Sequence, residues 1–152
     1  MTRRVFILTL TLLSAAALWA QEAPTPREAP TEDIAFVNVF VDSGARPLAA
    51  YQLELKAETG NVKIIGIGGG DHAAFRDAPY FDKAAMSGDR AILAAFSTDR
   101  KLPTGRTRVA RVMVYVEKGV APRYTLKLTT AATIGGEKIK GTVSIETGGL
   151  EQ

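Results

Sequence analysis

Cysteine is absent from all 152 residues. That excludes disulfides, thiolate metal sites and a lipid anchor attached through an N-terminal cysteine. Histidine occurs once, at His72, so a zinc site built on several imidazoles is excluded as well. The single tryptophan is Trp19, inside the N-terminal apolar run. A sugar-stacking platform elsewhere in the chain would have to be built from tyrosine and phenylalanine. There is no G-x-S-x-G elbow to mount a nucleophilic serine. A large charge surplus is missing too: 19 basic residues face 16 acidic ones, a net +3. Two of the basic residues are Arg3 and Arg4, so the chain from Gln21 onward carries only about +1. A surplus that small gives no electrostatic reason for a nucleic-acid partner.

The first segment, "MTRRVFILTLTLLSAAALWA", has two arginines, an apolar run from Val5 to Leu13 and small residues before Ala20. That order predicts a secretory signal over 1–20, cleaved after Ala20, and too short to span a membrane. General secretion is the expected route, although "TRRVFI" also resembles a twin-arginine signal with Ile7 and Leu8 where Leu and Lys are usual. Residues 21–33, "QEAPTPREAPTED", hold three prolines and four acidic side chains and predict a disordered linker or tail. The remainder, 34–152, fits one domain large enough for a core without staples. The C-terminal "ETGGLEQ" has no hydrophobic tail. These features together predict an exported protein, periplasmic or extracellular, with no membrane span once the signal is removed.

Period-two alternation dominates the domain. In "YQLELKAE", Tyr51, Leu53, Leu55 and Ala57 alternate with Gln52, Glu54, Lys56 and Glu58, the pattern of a strand with one wet face. "IAFVNVFVD" is apolar on both faces except at Asn38 and predicts a more deeply buried strand. "NVKIIGI" predicts a third strand, paired to the second through the tight "TGN" turn at 59–61. Further strands are expected in "RAILAAFS", "TRVARVMVYVEKG", "YTLKLTTAA" and "KIKGTVSIE". In the longest, Arg108, Ala110, Val112, Val114 and Val116 alternate with Val109, Arg111, Met113, Tyr115 and Glu117. One helical turn over Lys83–Met86 is expected, capped by Asp82 and ended by Gly88. The expected fold is all-β, a two-sheet sandwich with no βα alternation.

Several residues could carry function. "GIGGGDH" (66–72) resembles a phosphate cradle, but Asp71 replaces the third glycine and Pro79 breaks any following helix. Glycines leaving the sheet through positive φ values are the expected reading, with His72 solvated beside them. Asp71, Asp77 and Asp82 could share a calcium ion, but their spacing lacks the dense alternation of a calcium loop. No metal and no cofactor are expected. In "RKLPTGRTRVAR", Arg106 and Arg108 share a strand face that could meet an acidic partner, or could merely keep an edge from pairing with other chains. Phe75, Tyr80 and Phe81 lie in the long loop from Gly68 to Arg90, either plugging the sandwich or, with Arg76, bordering a binding surface.

"LAAYQLELKAETGNVKIIGI" (48–67) resembles the opening strands of cohesin-like domains. "GRTRVARVMVYVEKG" followed by "RYTLKLTTAA" is similar to their later strand pair. The resemblance covers about 100 residues, from Phe36 to Ile145. It implies a nine-stranded jelly roll, shared with certain carbohydrate-binding modules, that binds partners and performs no catalysis. The expected function is a non-catalytic module binding a protein at the cell envelope. Its partner-binding residues are expected among Arg76, Tyr80, Phe81, Arg106 and Arg108. The alternatives are a carbohydrate-binding module and, with its carboxylates scattered over exposed faces, a small hydrolase.

Overall fold

The structure, a computed structural model, describes residues 32–149. Alternating side chains commit each segment to a strand with one face inward. Seven strands result: β1 (Glu32–Asp42), β2 (Ala50–Ala57), β3 (Lys63–Gly69), β4 (Arg90–Phe96), β5 (Arg106–Glu117), β6 (Tyr124–Ala132) and β7 (Thr142–Gly149). They form two antiparallel sheets, ordered β3-β5-β1-β7 and β4-β2-β6. The chain is therefore an all-β, two-sheet sandwich. Its core is filled by Val37, Val39 and Val41 of β1, Leu53 and Leu55 of β2, Leu93 of β4, and Val109, Val112 and Val114 of β5. Each such side chain contributes about 1.5–3 kcal/mol through burial. Among the described residues, no helix is long and apolar enough to cross a membrane.

Four expectations are corrected. The "TGN" turn does not close a hairpin, because β2 and β3 lie in different sheets. Both edges of β2 are taken by β4 and β6. Left-handed Gly60 (φ 99°) and Asn61 (φ 46°) instead carry the chain across to β5. There the Asn61 amide donates to Glu117 Oε2 at 2.8 Å. Second, the glycine run is strand more than turn: Gly66, Gly68 and Gly69 belong to β3, and none of the four has a positive φ. Third, the strand order starts before the expected boundary at Ile34, because Glu32 pairs with Glu117 and takes Lys63 Nζ at 2.6 Å. The expected signal and most of the linker lie outside the described residues. Fourth, the loop holds two 3-10 turns, Ala73–Phe75 and Lys83–Ala85, in place of one helical turn. Asp82 does cap the second, accepting from Ala84 N at 2.9 Å.

The expected phase of β5 also changes partway along. Pairing with β1 runs Val39 to Ala110 and then Phe40 to Arg108, which leaves Val109 as an inserted residue. Val109 and Ala110 are both fully buried, two consecutive inward side chains that a β-bulge accounts for. Tyr51 reaches across from β2 and donates its hydroxyl to the Val109 carbonyl at 3.1 Å. Burial raises the pKa of that phenol well beyond its ordinary range. The Tyr51 ring packs edge-on against Phe75, centroids 5.4 Å apart. Phe75 thus closes one end of the sandwich. Tyr51→Phe keeps the ring but removes the donor to a buried carbonyl, and should cost about 1–3 kcal/mol in chemical denaturation. A change within about 0.5 kcal/mol, the range of surface substitutions, would show that this bond does not support the bulge.

Candidate functional site

The bulge decides which side chains share the outer face of the β3-β5-β1-β7 sheet. Without it, Arg106 and Arg108 would lie on the face opposite Arg111. The inserted Val109 resets the alternation, so Arg106, Arg108 and Arg111 all point outward while Val112 and Val114 stay in the core. Outward-facing β1 supplies Phe36, Asn38 and Phe40 beside them. The Arg106 guanidinium sits 3.5 Å above the Phe40 ring centre and pairs with Glu146 at 2.8 Å. The Arg111 guanidinium lies 5.3 Å from the Phe36 ring centre. Asn38 Oδ1 accepts from both Arg108 Nη1 (3.2 Å) and Arg111 Nε (2.8 Å). Arg108 also pairs with Asp71, which follows β3. Arg108 Nε is enclosed without an acceptor among the described residues, a local cost of about 1–3 kcal/mol.

Beside this cluster runs a groove of about 370 Å³ lined by Phe36, Arg108, Arg111, Met113 and the β3 segment Gly66–Gly69. Gly66 pairs with Met113 and Gly68 with Arg111, so both present bare backbone to the groove as its floor. The two adjacent glycines have a different reason. A Cβ on Gly69 would fall on the carbonyl of Arg76, and one on Gly70 on the carbonyl of Arg108. These two glycines let the loop and β5 approach closely. A larger depression of about 660 Å³ lies at the 58–63 end of the sandwich. Several of its polar groups already pair, Lys63 with Glu32 and Asn61 with Glu117, which leaves it less to offer a ligand.

The residues expected to bind a partner fall on separate surfaces. Arg106 and Arg108 lie on the outer face just described. Tyr80 lies on the other sheet, where its backbone bridges Ala94 of β4 with hydrogen bonds of 2.7 and 3.0 Å. Its ring is 71% exposed and stacks nearly parallel (8°) to Phe96, itself 67% exposed, with centroids 6.5 Å apart. Ile92 shares that outward face of β4 and is also exposed. Phe81 is half-buried against the core. Arg76 is exposed and ends the first 3-10 turn. His72 caps that turn, its Nδ1 accepting from Ala74 N at 3.2 Å. Asp71, Asp77 and Asp82 do not converge, and no three metal-ligating side chains cluster among the described residues.

The carboxylates with shifted acidity lie away from the groove. A hydrogen bond from Arg90 holds Glu54 below its ordinary value, and hydrogen bonds from Thr125 and Lys56 do the same for Glu58. Sequence reasoning missed Asn38, Arg111, Phe36 and the two floor glycines as one site, and missed Phe96 as the partner of Tyr80. One signal was present: Asn38 is the lone polar residue within the apolar run Ile34–Val41 of β1. Comparison with family models, with curated proteins and with solved structures finds no match to this chain.

Proposed function

We propose that this chain is an exported, non-catalytic binding module that docks a protein partner at the cell envelope through Tyr80 and Phe96. The observation that carries this reading is the pair of large rings, each about two-thirds exposed, held on a sheet edge by backbone hydrogen bonds. Exposed aromatics on a rigid support bind at little entropic cost and dominate protein hot spots. Ile92 extends the apolar surface beside them. The resemblance to cohesin-like domains and the signal-like first segment support the same reading.

A second reading, a carbohydrate-binding module, is favoured by one observation: the two rings lie nearly parallel, an arrangement suited to stacking on sugars. The test compares wild type with a Tyr80→Ala/Phe96→Ala double variant in capture from envelope extracts and on a glycan array. The variant should lose the captured protein while its stability changes by no more than about 0.5 kcal/mol per site, because both rings are exposed. Unchanged capture by the double variant would sink the proposed surface. Ring-dependent binding to the array, with no captured protein, would establish the carbohydrate reading.

A further inference from the structure

We propose that the glycine-floored groove on the outer face of β3, β5 and β1 binds a carboxylate carried on a six-membered ring, either an aromatic acid or a uronate sugar. The charge balance is the first ground. Arg108 and Arg111 converge on a single neutral acceptor, Asn38 Oδ1. Asp71 offsets Arg108, but no described carboxylate lies within ion-pair distance of Arg111. Two cations joined through an amide oxygen leave a surplus positive charge that an anion relieves. Nε of Arg111 is used by Asn38, so its terminal nitrogens remain for a carboxylate, whose geometry the planar fork matches.

The floor is the second ground. Glycine in a strand interior costs stability and marks a close approach or a bulge. Gly69 and Gly70 have such a reason within the fold. Gly68 has none: its φ is ordinary, and a Cβ there would meet only the Arg111 carbonyl, at 3.8 Å. Gly66 directly follows a register shift in β3, but a Cβ there would still make only ordinary contact with Met113, at 3.5 Å. What these two positions provide is a flat surface beside two guanidiniums. Phe36 and Met113 supply apolar walls for a ring lying on that surface, and the volume of about 370 Å³ is at the small end of ligand sites, roughly 300–1,000 Å³. Asp71 then acts as an internal placeholder that an incoming carboxylate displaces from Arg108 or joins. This site lies on the opposite sheet from Tyr80 and Phe96, so either assignment can fail without the other.

The test is an amide-shift titration of the isotope-labelled chain with benzoate and glucuronate, set against benzamide and glucose as neutral counterparts. At least one acid should shift the Gly66 and Gly68 amides and bind at least about tenfold more tightly than its neutral counterpart. Benzoate alone would identify an aromatic acid, and glucuronate alone a uronate. Arg111→Ala should weaken binding about tenfold, and Gly68→Leu should abolish it by filling the floor. Asp71→Asn should strengthen binding severalfold by freeing Arg108. No shift at millimolar acid, equal binding of the neutral probes, or equal competition by sulfate would overturn the proposal. Unaltered affinity in Arg111→Ala would overturn it whether or not Gly68→Leu folds.

Discussion

Gly70→Ala is expected to lower the stability of the domain by about 3 kcal/mol or more, at or above the upper end of ordinary overpacking. The added methyl would land on the carbonyl oxygen of Arg108, with Val109 Cα only 2.9 Å away. Both neighbours are backbone of β5 at its bulge, so no flexible side chain can swing aside. Relief requires β3 and β5 to part where Asp71 N donates to Arg108 O at 3.2 Å. Gly68→Ala, two residues earlier, is the matched control. Its methyl would make only an ordinary contact with the Arg111 carbonyl, at 3.8 Å, and the change should stay within about 0.5 kcal/mol. Urea denaturation of both variants decides the matter. Equal changes at the two positions would show that the close approach at Gly70 does not set its cost, since the unfolded-chain effect of Gly→Ala is a small gain at both.

Leu53→Ala should cost about 2–5 kcal/mol, the range for large-to-small changes in a packed core. Leu53 is fully buried at the centre of β2, paired with Leu93 on one side and Leu128 on the other. Removing it opens a void between the central strand of its sheet and the buried valines of β1 and β5, and β2, held by β4 and β6 on both edges, has little room to collapse into it. Denaturation midpoints give the measurement. A loss below about 0.5 kcal/mol, typical of surface positions, would mean that the inward phase assigned to β2 is wrong.

Strand positions were legible because alternation is a local property: "YTLKLTTAA" and "RAILAAFS" match β6 and β4 to within a residue. Partner choice was not legible. The "TGN" segment has the composition of a hairpin turn, yet β2 bonds to β4 and β6 because both of its edges are satisfied there at longer sequence separation. The outer arginine face was half legible. Arg106 and Arg108 are two apart and share a face in any strand, whereas Arg111 joins them only through a bulge that Tyr51 helps hold from the other sheet. No local pattern reports such a contact. The glycine run misled for a related reason: its residues serve close packing and an open floor, neither of which needs a positive φ.

The strand order of the larger sheet also sets a timetable. β1 lies between β5 and β7, so one edge of the first described strand is completed by the last. Between Asp42 and Thr142 about 100 residues must be made, which takes roughly 5–20 s at 5–20 residues per second. Until then Val37, Val39 and Val41 belong to a strand with an unpaired edge. The nascent chain therefore cannot finish this sheet early, and that edge of β1 stays open until Thr142–Gly149 has been made. A product truncated before Thr142 would keep the three arginines and the glycine floor but leave β1 with a bare edge, open to the strands of other chains.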